Sequence, residues 1–327
     1  MLEEWKAAFL RHTPSTDQMM EAGKNALGPA AGAALVVFAL LLLVLGKRAS
    51  LFAGSLAMLA GFAVSNYFRM VFPWWPNDRV DLSTEPASLM SPPAWQWLPL
   101  LFLVAQFDGL FARTPSVPLW GGWRLRLGLG LIAALVLIPP GFHSKLPELY
   151  SSWPFPLQAK VWPLLLFTLA VALGWAGSET VAKNNPGPMV AFGLAFSLFG
   201  ASLVIAHAHS ALFADALSIP AAALMAVGIV SIFCRVDVSG ALPGIAVILP
   251  SILLSAYLRT ESQVPWKAFV FAGCSPVAIG LMAIPPLSRP SGFGKWALFT
   301  VLCLGPTIAA VTFAVNAETL LVEEDGW

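Results

Sequence analysis

The chain has 327 residues, of which 58% are hydrophobic and 11% charged, and its mean hydropathy is +0.77. A soluble globular domain of this size is excluded, because its surface would need roughly 25% charged residues, whereas a chain dissolved in lipid does not. The formal net charge of +1 gives no basic field for nucleic acid, so no nucleic-acid partner is expected.

Residues 1–27 are expected to form a short amphipathic segment on the membrane surface, and 28–327 a single transmembrane helical domain. Glu3, Glu4, Asp17 and Glu21 precede any apolar run, which is not the pattern of a signal peptide. Leu2, Trp5 and Phe9 share a helical face. Thr13-Pro14-Ser15-Thr16 breaks it, and Ser15 with Gln18 resembles a capping box. A partner-docking arm is the functional alternative for this segment.

Ten apolar runs follow, centred on 30–45, 51–71, 98–112, 127–139, 161–177, 189–206, 216–233, 242–258, 268–285 and 296–315. A helix needs roughly 20 such residues to cross a bilayer. The runs lack period-two alternation, and lipid offers no partners to an open strand edge, so they are read as helices. The expected fold is all-α: a polytopic integral membrane bundle of about ten transmembrane helices (8–10). Small residues recur four apart at Ala53/Ala57/Gly61, Ala170/Gly174/Ser178 and Gly193/Ser197/Ala201. Such faces allow close helix approach within the chain or with membrane-protein partners. Tryptophans at the run ends, such as Trp74, Trp75, Trp95, Trp97, Trp120, Trp123, Trp153 and Trp162, mark the headgroup level.

The loop over 73–93 is the longest connection and carries Asp78, Asp81 and Glu85. Its prolines and tryptophans point to an ordered extracytoplasmic loop. Connections after odd-numbered runs hold Lys47, Arg48, Arg113, Arg124, Arg126, Lys183, Arg235, Arg289 and Lys295. Those after even runs hold Arg69, Arg79, Lys145, Lys160, Arg259 and Lys267. The excess places the odd side in the cytoplasm of a cell membrane and both termini outside.

The candidate site residues follow from polarity inside apolar runs. Asp108, with Gln106 nearby, is an acid within the third run, and an isolated carboxylate there must face the bundle interior or find a partner. Pro250, Pro276 and Pro306 fall near the middle of the last three long runs and free the carbonyls of Ala246, Ala272 and Leu302. Ser251, Ser275 and Thr307 follow them directly, and interrupted helices at matched depth point to a transport site. His207 and His209 are about 200° apart on a helix. With Asp215 they read as a polar turn at the membrane boundary and not as ligands of one metal. Cys234, Cys274 and Cys303 form no CxxC pattern. No metal or other cofactor is expected, and no dinucleotide or nucleophile motif orders the remaining polar residues.

Three functions fit this pattern. The first is a small-solute carrier using Asp108 and the proline layer. The second is a non-catalytic membrane scaffold or assembly subunit. The third is an enzyme on lipid-linked substrates using Asp78 and Asp81.

Overall fold

A computed structural model describes residues 20–69, 98–111, 119–138, 156–259, 264–284, 287 and 292–324. Among them regular structure is entirely helical, with no strand. The α-helices are α1 (Gly28–Leu45), α2 (Ser50–Arg69), α3 (Leu98–Phe111), α4 (Leu119–Leu137) and α5 (Pro156–Asn184). They continue as α6 (Gly187–His207), α7 (Ala211–Cys234), α8 (Pro243–Arg259), α9 (Trp266–Gly280) and α10 (Gly292–Glu324). Each apolar run of the sequence falls on one of them.

Seven are long and apolar enough to cross a bilayer: α1, α2, α5, α6, α7, α8 and α10. The expected count of about ten is not reached among the described residues. Helices α3 and α9 have 14 and 15 residues, or about 21–23 Å at 1.5 Å per residue, short of a roughly 30 Å hydrocarbon core. Helix α4 carries Arg124 and Arg126 in its N-terminal half and is not among the seven. At the other extreme, α5 and α10 have 29 and 33 residues, more than the roughly 20 that a crossing needs. The first helix already begins at Met20 and runs through a π-helical turn at Gly23–Leu27 into α1. The surface helices expected before Met20, the 73–93 loop and the loop acids Asp78 and Asp81 lie outside the described residues.

Helix α1 shows how burial is divided. Ala30, Ala34, Phe38 and Leu42 are buried at a spacing of four, while Leu40, Leu43 and Val44 on other faces are exposed. The first set packs on α2 and α7, and the second suits lipid, which accepts leucine as readily as a protein core does. Helix α8 lies at the centre, packing against α3, α4, α5, α6, α7 and α9. Ser65 Oγ ties the end of α2 to the Ala26 carbonyl at 2.9 Å. Of the small-residue faces, Gly61 meets Ala30 and Ala223, Gly174 meets Pro276, and Gly193 meets Phe299 and Cys303. All three therefore pack against helices of the same chain.

The linker between α7 and α8 is the least regular buried backbone. Val236, Val238, Ser239, Gly240, Ala241 and Leu242 are all buried. Non-helical backbone survives at such a depth only if its polar groups find partners in the protein. Gln106 of α3, fully buried, supplies them. Its Nε2 donates to the Gly240 carbonyl at 2.6 Å, and its Oε1 accepts the Gly244 N–H at 2.8 Å. Ser55 Oγ donates to the same Gly240 carbonyl at 2.7 Å. Gly240 is required here, because a Cβ would collide with the Leu51 carbonyl.

Candidate functional site

The residues singled out from the sequence separate into distinct places. The three prolines do not interrupt their helices: α8, α9 and α10 run on through Pro250, Pro276 and Pro306. Neighbouring hydroxyls cover nearby carbonyls, as they do where kinks are healed. Ser251 Oγ donates to Val247 O of its own helix at 2.6 Å. Ser275 and Thr307 come together: their hydroxyls are 3.1 Å apart, and they donate to the Cys303 carbonyl at 3.0 and 3.2 Å. Ser197 of α6 completes the group, 3.0 Å from Cys303 Sγ. The result is a buried hydroxyl seam where α6, α9 and α10 meet.

Asp108 lies on α3, two residues after Gln106, and its side chain is outside the described residues. Helix α3 packs on α2 and α8, so Asp108 is carried by a different seam. His207 closes α6 as a buried residue, whereas His209 is exposed in the turn with φ 59°. Helix α7 starts at Ala211, so Asp215 lies within its second turn and not in the loop. Ser202 Oγ fastens the hairpin through the Ala214 carbonyl at 2.7 Å. Among the described residues no cluster of three His, Cys, Asp or Glu could hold a metal ion.

The cavity that stands out lies at the opposite end of α6. It has a volume of about 640 Å³, and its lining includes Lys183, Asn185, Gly187, Arg235, Asp237 and Trp296. Four helices position these groups. The α5–α6 connection supplies Asn185 and, through Pro186-Gly187-Pro188, a helix start to which proline is suited. Helix α7 ends in a left-handed residue, Arg235, with φ 51° and ψ 55°. Asp237 Oδ1 accepts the Ser239 N–H at 2.8 Å and stiffens the linker. Lys295 donates to the Asn184 carbonyl at 3.2 Å and holds the start of α10 against α5.

Charge is organised beside the cavity. Glu179 accepts from both Arg126 of α4 and Lys183 one turn along α5. Arg126 also lies 5.7 Å from the Trp123 ring centroid and 5.8 Å from that of Trp175, distances at which the ring faces attract a guanidinium. Arg235, by contrast, has no ion-pair partner among the described residues. Asn185 Nδ2 donates to the Val181 carbonyl at 2.7 Å, while its Oδ1 is buried with no hydrogen-bond partner.

The cavity and the hydroxyl seam share helices α6 and α10. Phe192 lines it from α6, one residue before Gly193. Trp296 lines it from α10, one turn before Phe299. The Phe299 ring closes directly over Gly193, so closely that a Cβ there would collide with it. On α10, Trp296, Phe299 and Cys303 share one face and Cys303 lies about 10 Å beyond Trp296, whereas on α6 Ser197 is turned about 140° from Phe192. The sequence singled out Ser275 and Thr307 of this arrangement but not Asn185, Arg235, Asp237 or Trp296. The available signal was Asn184-Asn185-Pro186-Gly187-Pro188 and Arg235-Val236-Asp237, two short polar punctuations flanking the same pair of helices. Comparison with known families, with curated proteins and with solved structures finds no match to this chain.

Proposed function

We propose that this multi-pass membrane protein is a carrier, with the cavity between α5, α6, α7 and α10 as one opening of its path. The observation that supports the reading is that the cavity and the seam of Ser197, Ser275, Cys303 and Thr307 share one face of α10, on which Phe299 falls between Trp296 of the cavity and Cys303 of the seam. A polar ladder beneath a closed aromatic plug is an arrangement that a change in helix packing can open. The route uses Ser275 and Thr307, with Pro276 and Pro306 as the points where α9 and α10 flex. Asp108, Pro250 and Ser251 are carried by α3 and α8 and stand off this route.

A second reading has its own support. Every hydroxyl of the seam is already hydrogen-bonded, and Phe299 fills the space over Gly193. That is also the packing of a static scaffold or assembly subunit.

Cys303 separates the two. It is fully buried in this structure. In a Cys234→Ser, Cys274→Ser background, a small membrane-permeant thiol reagent should label Cys303 in native membranes. The comparison is Ala133→Cys, placed at an equally buried position on α4 in the same background with Cys303 replaced by serine. A carrier should expose Cys303 at least about tenfold faster than this control. Equal rates, with labelling only on denaturation, would leave the scaffold reading.

A further inference from the structure

The mouth of the cavity carries chemistry that the seam does not use. Arg235 is exposed there and has no ion-pair partner among the described residues. Lys183 is half-exposed and shares its charge with Glu179. The site thus offers one cation outright and a second that is partly spent, against the Asp237 carboxylate in the same lining, whose Oδ1 is already engaged by the Ser239 N–H. Asn185 Oδ1 is an acceptor without a donor. Turning the amide over does not help, because it would set the side-chain oxygen against the Val181 carbonyl. A buried acceptor left unpaired is costly, and a ligand that donates to it recovers the loss. The complementary ligand therefore carries an anionic group and also an N–H or O–H.

The rim of the cavity is apolar. Ile232 of α7 and Trp296 of α10 line the cavity and are about half-exposed. Phe293 is 88% exposed and lies three residues before Trp296, on the same face of α10. Phe233, next to Ile232, is 81% exposed. Tryptophan side chains at the ends of apolar helices, as Trp296 is, sit at the headgroup level of a bilayer. The polar cavity therefore opens at that depth, between two helix ends that are apolar on their outer faces.

We infer that the cavity binds a phospholipid. The phosphate meets Arg235 and Lys183, and a headgroup donor meets Asn185 Oδ1. The acyl chains lie along Ile232, Phe233, Phe293 and Trp296. The inference rests on the cavity being the opening of the proposed carrier, and it names that carrier's substrate class. It also fixes a preference among headgroups. Ethanolamine carries an ammonium that can donate to Asn185, whereas choline has no N–H to give.

The test uses the full chain in detergent, with lipid retention read by native mass spectrometry. The probes are dioleoyl phosphatidylethanolamine, dioleoyl phosphatidylcholine and soluble glycerophosphoethanolamine. One phosphatidylethanolamine should be retained per chain, about tenfold more tightly than phosphatidylcholine. Arg235→Gly should weaken retention of both lipids by about tenfold or more. Glycine suits the left-handed backbone at this position, so the fold is kept and the guanidinium removed. Asn185→Leu should erase the preference between the two lipids while leaving the phosphate contribution. Trp296→Ala is the independent variant, and it should weaken retention of the lipids.

Equal retention of the two lipids by the parent protein would overturn the inference, as would an Arg235→Gly variant that folds and binds unchanged. Glycerophosphoethanolamine binding as tightly as the lipid would replace a lipid site with one for a free phosphate ester. Lipid retention without faster labelling of Cys303 would keep the site and remove transport. Faster labelling of Cys303 without the lipid preference would keep the carrier and remove this substrate class.

Discussion

Gln106 donates to the Gly240 carbonyl at 2.6 Å across 134 residues of sequence, and accepts the Gly244 N–H at 2.8 Å with the same amide. The Gly244 N–H belongs to the first turn of α8, where a helix has no acceptor of its own. A side chain from α3 therefore caps the central helix of the bundle.

Gln106→Leu should destabilise the protein by about 1–3 kcal/mol, the cost of one orphaned buried donor. The Gly240 carbonyl is less affected, because Ser55 Oγ still reaches it. Ser55→Ala leaves that carbonyl with Gln106 and should cost less, about 0.5–1.5 kcal/mol. Melting of the two variants in detergent checks the order. A Gln106→Leu protein as stable as Ser55→Ala would show that the linker can find another acceptor for Gly244.

Much of this bundle was legible because lipid forces backbone groups to pair within a segment, so every long apolar run had to be a helix. The run ends were less legible. Helix α4 begins at Leu119 and not near 127, because Arg124 and Arg126 read as the end of an apolar stretch. In the structure Arg126 is held inside the helix packing by Glu179, Trp123 and Trp175. Gln106 drew notice only as a neighbour of Asp108, since nothing local shows that a glutamine will cap a helix that far along the chain. The cavity was invisible for the same reason: Asn185, Arg235 and Trp296 come from three different helix ends, and only packing brings them together.

The Arg126–Glu179–Lys183 group should behave as a unit centred on Glu179. Arg126 and Glu179 expose only 17% and 18% of their side chains. Their coupling should lie near the top of the range for surface pairs, about 1 kcal/mol. Lys183, at 49%, should add little. A double-mutant cycle of Arg126→Gln with Glu179→Gln measures the first term, and Lys183→Gln with Glu179→Gln the second. Arg126→Lys should recover less than half of the loss from Arg126→Gln, because a lysine keeps the charge but not the planar stack on the indoles. Equal coupling in the two cycles would contradict this ranking.

Gly193 is where α6 admits α10. Gly193→Ala should destabilise by about 1–3 kcal/mol, the usual cost of forcing extra volume into a packed contact. The new methyl would strike the Phe299 ring, a side chain that can be shortened. Adding Phe299→Leu to Gly193→Ala should therefore restore part of the stability, although Phe299→Leu alone leaves a gap and costs stability itself. A double variant at or below the sum of the two losses would mean that the backbone, and not the ring, sets the spacing of this seam.

The last prediction is the direction in which the cavity faces. One end of the bundle gathers Lys47, Arg48, Arg124, Arg126, Lys183, Arg235 and Lys295. Contacts among Leu51, Gly240, Gln106, Asn184 and Lys295 bring the corresponding helix ends together. Lys24 at the start of the first helix, Arg69 and Arg259 at the ends of α2 and α8, Lys160 near the start of α5 and Lys267 at the start of α9 belong to the opposite end, five against seven. Positive residues flanking short connections are retained on the cytoplasmic side, so the cavity end should be cytoplasmic and the His207–His209 turn extracytoplasmic. Single cysteines at Arg48 and His209, each in a cysteine-free background, test this with a membrane-impermeant thiol reagent on intact cells. The His209→Cys protein should be labelled directly, and the Arg48→Cys protein only after the membrane is opened. The reverse pattern would place the cavity at the outer leaflet, and labelling of both before opening would mean that these two turns do not lie on opposite sides of a membrane.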